Sequence, residues 1–253
     1  MKPGDQIYFL GKIMNRFNTP VLRCLQYGSI ALATSALFAC GGGGSSPNGT
    51  INGTVAIGVP MQNGAISFVC KNGSANTTTD ANGAFSVTFK FDGPCSITAA
   101  GGATTLHSFA PGAGTVNITS LTELLLSYLA AQQGTTVNNL LASLPTNATY
   151  QNALTNSTTI ANAEAAIATI IKNTYGITLS SSAFLTTAFS AGQGQDKDLD
   201  QLMTAGAIDA TGKPAATLTA TVTTAGAAAG GGSTGGTPGG GATGATGGTG
   251  TTQ

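Results

Sequence analysis

Residues 79–91 read Thr-Asp-Ala-Asn-Gly-Ala-Phe-Ser-Val-Thr-Phe-Lys-Phe. Asn82-Gly83 is a hairpin signal, because both residue types tolerate positive φ. Phe85, Val87, Phe89 and Phe91 then alternate with Ser86, Thr88 and Lys90, a period of two that buries one face of a strand and wets the other. Working outward, Asn-Gly recurs at 48-49, 52-53, 63-64 and 72-73, the later pairs about ten residues apart. Such a cadence predicts hairpins joining short strands in an antiparallel β-sandwich over residues 50–119. Ile66, Phe68 and Cys70 share one face by the same period, and so do Cys95, Ile97 and Ala99.

Beyond residue 119 the period becomes helical. Ser120-Leu-Thr-Glu123 has the form of a capping box, with Glu123 placed to reach back to the helix start. Leu121, Leu124, Leu125, Tyr128 and Leu129 follow as one apolar stripe. A second helix is expected over Val137 to Leu144, ended by Pro145, and a third along Ile160, Ala163, Ile167, Ile170 and Ile171, ended by Gly176. Residues 120–225 are therefore expected to form a small helical bundle, with a late strand where Leu218, Ala220 and Val222 alternate with threonines. After Gly226 no large apolar side chain remains, so residues 226–253 are expected to be a disordered Gly/Thr/Ala-rich tail. The fold class is α+β.

Lys2, Lys12, Arg16 and Arg23 precede an uncharged apolar run from Leu25 to Ala39, the n-region and h-region of a secretion signal over residues 1–39. The run is roughly 15 residues, short of the ~20 needed to span a bilayer. Met14-Asn-Arg-Phe makes a compact n-region alone, which points to Met14 as an alternative start. Leu37-Phe-Ala-Cys40 resembles the lipobox of bacterial lipoproteins, which implies lipidation at Cys40, loss of Cys24 with the signal, and attachment to a membrane. Residues 40–49, with Gly41 to Ser46 at their centre, then form a flexible tether. Gly41 stands where an Asp would retain such a protein at the inner membrane, so the resemblance implies the cell envelope and its outer membrane. In that oxidising compartment Cys70 and Cys95, both in core phase, are expected to pair as a disulfide. Closing a loop of about 25 residues contributes roughly 3–4 kcal/mol.

Ile51-Asn-Gly-Thr-Val55, Gly58-Val-Pro-Met-Gln-Asn-Gly-Ala-Ile66 and Thr79-Asp-Ala-Asn-Gly-Ala-Phe-Ser-Val87 resemble the carboxypeptidase-regulatory-like domain, a transthyretin-like β-sandwich. Gly53, Pro60, Gly64, Ala65, Asp80, Gly83 and Phe85 carry the likeness. It implies a fold and a non-catalytic accessory role, and is silent on partners. The entry Ile118-Thr-Ser-Leu-Thr-Glu-Leu124 into the helices is similar to that of other proteobacterial surface lipoproteins.

After residue 39 the chain carries five lysines, no arginine and eight acids. A net charge of −3 without arginine argues against nucleic-acid binding, which draws on Arg and Lys clusters. Asp196-Lys-Asp-Leu-Asp200 has the spacing that opens a calcium loop, but Gln201 and Ala207 replace its required Gly and Glu, so an acid-rich helix start explains it better. Asp80-Ala-Asn-Gly83 is accounted for by its turn. His107, the single histidine, has no nucleophile motif or second histidine beside it, which makes an ordinary strand residue the simpler reading. Glu123 and Glu164 both sit on expected helices. No catalytic residue, cofactor or metal is assigned. The expected function is a non-catalytic surface lipoprotein in binding, adhesion or envelope organisation, with a glycan or protein ligand. An accessory subunit of a secretion or polysaccharide system is the alternative; an undetected enzyme ranks third, and a deep polar pocket holding Asp or Glu beside His107 would favour it.

Overall fold

The computed structural model of the chain describes residues 47–231. The signal, Cys40, the Gly41 to Ser46 tether and residues 232–253 lie outside the described residues. Eight strands come first: β1 (Asn48–Ala56), β2 (Ala65–Cys70), β3 (Ser74–Thr78), β4 (Ala84–Lys90), β5 (Cys95–Gly101), β6 (Thr104–Ala110), β7 (Gly114–Thr115) and β8 (Ile118–Thr119). One sheet has the order β3-β2-β5-β6 and is antiparallel throughout. In the other, β1 pairs antiparallel with β4 and parallel with the short β7 and β8. The antiparallel expectation therefore fails along one side of β1. Residues 114–119 arrive there from β6 of the other sheet rather than through a hairpin, and so run alongside β1 in its own direction.

Alternation decides which faces are buried. Ile66, Phe68 and Cys70 on β2 and Cys95, Ile97 and Ala99 on β5 are all buried, as is Phe85 on β4, while Ser86, Thr88 and Lys90 are exposed. Phe68 of one sheet meets Phe85 and Phe89 of the other with ring centroids 6.0 and 5.8 Å apart. Tilted aromatic pairs at this range add roughly 0.5–1.5 kcal/mol each beyond the area they bury.

Only three of the five Asn-Gly pairs make turns, with Asn63, Gly73 and Gly83 at positive φ. The pairs at 48-49 and 52-53 lie inside β1 instead. Their glycines answer to close approach rather than to turning. A Cβ on Gly53 would stand 2.7 Å from the Val116 carbonyl carbon and nearer still to its oxygen, where the segment between β7 and β8 crosses β1.

Six helices follow: α1 (Ser120–Gln132), α2 (Val137–Ser143), α3 (Ala148–Thr155), α4 (Ser157–Tyr175), α5 (Gln195–Thr204) and α6 (Ala216–Ala229). The helix α1 starts directly from β8 and is the central one. Leu121, Leu124, Leu125, Leu126 and Leu129 are all fully buried, so it is apolar most of the way round, as an interior helix must be. It packs against β6, α2, α4 and α6. Its capping box falls one residue earlier than expected. Thr119 is the N-cap, and Thr122 Oγ1 accepts its backbone N–H at 3.0 Å, because the carboxylate of Glu123 is engaged elsewhere. On α4 the expected stripe holds, with Ile160, Ala163, Ile167 and Ile171 buried and Gly176 ending the helix at φ 71°. The preceding α3 was not foreseen.

The late strand is a helix. Leu218 and Val222 are buried on α6, and the threonines between them are its outer faces. Positions 218, 222, 226 and 230 fall on one face at helical spacing, and Cβ atoms on Gly226 and Gly230 would each stand 2.9 Å from a carbonyl carbon of α1, at Tyr128 and Gln132. Packing against α1 thus overrides the strand preference of Thr and Val. The expected disordered tail is accordingly corrected at its start, since residues 226–229 belong to α6.

The irregular stretch between α4 and α5 is held by buried polar side chains. Asn117 Nδ2 donates to the carbonyls of Phe184 and Thr187 at 3.0 and 2.7 Å, and Glu164 Oε1 accepts the N–H of Leu185 at 2.8 Å. Asp198 accepts both the N–H and the hydroxyl of Ser180. Among the described residues no helix is long and apolar enough to cross a membrane.

Candidate functional site: a cleft around His107 and Glu123

On α1 only one stripe escapes burial near the sheet, that of Glu123 and Ser127, four residues apart on one face. Opposite it, the outward positions of β6 present Thr105 and His107. Glu123 Oε1 accepts the backbone N–H of His107 and lies 2.9 Å from its Nδ1. The side chains are 31% and 19% exposed. The carboxylate's hydrogen bond holds the imidazole above its ordinary value, against partial burial, which pulls it down. Glu123 thereby fixes the tautomer that carries its proton on Nδ1. Among the described residues Nε2 has no hydrogen-bond partner.

This pair stands in a cleft of about 560 Å³. The start of α2 supplies Asn138, the turn before α6 supplies Lys213, and α6 itself supplies Thr219. A smaller hollow of about 300 Å³ lies against the outer sheet face at Val69, Ser96 and Thr98, and shares His107 and Asn138 with the first. His107 and Asn138 thus border both hollows.

The turn carrying Lys213 is rigid for local reasons. Asp209 Oδ1 accepts the N–H groups of Thr211 and Lys213 at 2.8 and 3.0 Å and the Thr211 hydroxyl at 2.7 Å, and that hydroxyl leads in holding the Asp209 carboxyl below its usual range. Gly212 turns at φ 76°, and its carbonyl accepts the Ser120 hydroxyl at the base of α1. The residues Asp-Ala-Thr-Gly repeat the chemistry of Asp80-Ala-Asn-Gly83, where Asp80 Oδ1 accepts the N–H groups of Asn82 and Ala84.

The sequence-level candidates fall as follows. Cys70 and Cys95 are directly opposed on β2 and β5, with Cα atoms 4.0 Å apart and sulfurs at bonding distance. Asp80 serves its turn. Asp196 and Asp198 lie in the first turn of α5, both buried; burial pushes the Asp196 carboxyl up, and its Oδ2 accepts the Gly192 N–H while Oδ1 has no partner. No three His, Cys, Asp or Glu residues among the described ones gather to hold a metal. His107 is on a strand, as expected, but it is half-buried and paired rather than an ordinary surface position. Sequence reasoning missed its pairing with Glu123, since the capping box offered Glu123 a local role, and it missed Lys213. The second Asp-x-x-Gly turn was the available signal for Lys213.

Comparison with protein-family models, with curated proteins and with solved structures finds no match for this chain.

Proposed function

We propose that the chain is a lipid-anchored protein of the cell envelope, attached through Cys40 at the outer membrane, that acts by binding and not by catalysis. On this reading the two sheets are a transthyretin-like sandwich, the helices are a bundle laid against it, and the ligand is a glycan or protein rather than a nucleic acid. The observation that carries the binding half is the cleft's hydrogen-bond bookkeeping. Ser127 donates to the Glu123 backbone carbonyl at 2.9 Å and the imidazole's one partner is Glu123, so among the described residues no hydroxyl is paired with the imidazole as a nucleophile would be. For the anchor, β1 begins eight positions after Cys40, and a glycine-rich tether of that length reaches at most ~25–30 Å, enough to lift the body clear of lipid headgroups.

One observation favours a second reading. An imidazole oriented by a carboxylate inside a polar cleft is the arrangement of a general base acting on water. One experiment separates the readings. Cys40→Ala and His107→Gln are introduced singly into a deletion strain, with labelled palmitate supplied and ligand retention on the cell surface measured. Loss of label and of envelope retention in Cys40→Ala alone supports the anchor, and equal labelling refutes it. Binding that survives in His107→Gln while turnover of the bound material stops would establish the enzymatic reading instead.

A further inference from the structure

The cleft's own chemistry narrows the ligand, and this inference rests on the binding reading above. Two of its hydroxyls are engaged inside the protein, Ser127 with the Glu123 carbonyl and Thr211 with Asp209. Other polar groups that line it have no hydrogen-bond partner among the described residues: the Lys213 ammonium, His107 Nε2, the Asn138 amide, the hydroxyls of Thr105 and Thr219, and Glu123 Oε2. They arrive from five different places, namely β6, α1, α2, the 209–213 turn and α6. The turn is held by Asp209 and by the Ser120 hydroxyl at the start of α1, and α1 by its burial.

The charges in this set are unequal. Glu123 already faces His107, whereas the Lys213 ammonium forms no ion pair among the described residues: Asp209, the acid of its own turn, is engaged by the Thr211 hydroxyl and the N–H groups of Thr211 and Lys213. A neutral ligand seated here would shield the Lys213 ammonium from water without giving it an ion-pair partner, which costs free energy. A dianion such as a phosphate would meet only a single full cation and the Glu123 carboxylate close by. Among the described residues no Phe, Tyr or Trp, on which flat apolar ligands stack, lines the cleft. What remains is a monoanionic group for Lys213 together with several hydroxyls for the Thr, Asn, His and Glu123 Oε2 positions. A volume of about 560 Å³ lies inside the ~300–1,000 Å³ range of small-ligand sites.

We infer that this cleft binds a polyhydroxylated carboxylate of the sugar-acid class, its carboxylate on Lys213 and its hydroxyls bridging Asn138, His107 and Glu123. The acidic sugar can come from a free oligosaccharide or from an envelope polysaccharide, since the recognised group is the same.

The test uses the full-length protein in detergent and isothermal titration with three probes: trigalacturonate, its trimethyl ester, and trialanine. Trigalacturonate is expected to bind, and esterification, which removes the charge and keeps the hydroxyls, to weaken it about tenfold or more, the scale of one charge-assisted hydrogen bond. Lys213→Met should give the same loss and Lys213→Arg should restore most of the affinity, with unchanged circular dichroism in both. Equal binding of the acid and its ester, or an unaffected Lys213→Met, overturns the sugar-acid assignment while leaving the protein a binder. Stronger binding of trialanine assigns the cleft to peptides and overturns it too. No heat with any probe overturns it as well, and palmitate labelling at Cys40 decides the anchor separately. Shortening of trigalacturonate on incubation, read by mass spectrometry, would keep the ligand class and overturn the non-catalytic reading.

Discussion

Replacing Gly226 with Ala sets two effects of opposite sign against each other. In an open helix the change stabilises by about 1 kcal/mol, because glycine is that much poorer than alanine in a helix interior. Here the new Cβ would stand 2.9 Å from both the carbonyl carbon and the Cα of Tyr128, and nearer still to the oxygen, where real Cβ atoms essentially never come within 3.0 Å. The obstacle is backbone of a fully packed helix and cannot rotate aside, so α6 must withdraw. A gap of roughly 0.5–1 Å forfeits a quarter to a half of the dispersion energy of each contact it opens, and Leu218 and Val222 are fully buried on the same face. Overpacking of this kind costs ~1–3 kcal/mol, and the rigid obstacle puts it at the upper end. The net expectation is a loss of about 2 kcal/mol, or ~4–8 °C in Tm for a body of this size. Urea unfolding followed by far-UV circular dichroism measures it, with Gly231→Ala as a control, where no atom lies within 4 Å of the added Cβ but φ is +62°. A gain in stability for Gly226→Ala, as in an open helix, would refute the close-packed arrangement of α6 on α1.

Removing the Cys70 to Cys95 link by paired alanine substitution should lower stability by ~3–4 kcal/mol for a sequence separation of 25, and non-reducing peptide mapping of the parent protein should recover the two cysteines in one joined fragment; two alkylatable thiols would count against the link. His107 has a raised folded-state pKa, so its contribution to stability is complete below the unfolded value near 6.5 and fades as pH rises through the folded one; the urea midpoint should fall as pH is raised from about 6.5, and Glu123→Gln should flatten that dependence. Glu164 is pushed up by burial, so keeping its carboxylate charged in the folded protein costs stability: Glu164→Gln, which keeps an acceptor for the Leu185 N–H, should be neutral or mildly stabilising at pH 7, whereas Glu164→Ala should cost ~1–3 kcal/mol by leaving that N–H unpaired. Equal effects of the two substitutions would show that the hydrogen bond is not what matters there.

What was legible in the sequence was whatever a local pattern determines. The period of two at Phe85 to Phe91 and the inward phase of Cys70 and Cys95 read correctly, because burial of one face leaves a strand a single workable register. The stripe of α4 and its stop at Gly176 read correctly because capping is local. Reading failed where a distant segment decided. Asn52-Gly53 looks like a turn and is a strand, since what it answers to is the Val116 carbonyl arriving from sixty residues away. Leu218-Thr-Ala-Thr-Val222 fits both periods, and only the presence of α1 beneath it selects the helix. Glu123 has a plausible local partner in the capping box and takes a remote one, because Thr122 serves the cap and leaves the carboxylate to His107.

The same logic explains why the cleft lies where it does. With β6, α2, α4 and α6 drawn onto α1, a polar side chain on this helix must find either a partner or an opening, and glycines at 226 and 230 bring α6 too close to leave an opening on its side. Glu123 and Ser127 therefore share the one stripe that stays wet, beside β6. The second Asp-x-x-Gly turn closes that stripe from the far end: Gly212 turns against Ile57 at the end of β1, where a Cβ would come within 2.8 Å of the Ile57 Cβ, and its carbonyl takes the Ser120 hydroxyl. Lys213, the next residue, is delivered to the cleft by a turn braced on both the sheet and the helix. Lengthening the 209–213 turn by one glycine should then uncouple Lys213 from the cleft and weaken trigalacturonate as much as Lys213→Met does, although the lysine is still present. Full affinity in such a variant would mean that the ammonium finds the ligand from a flexible arm, and that the bracing is structural only.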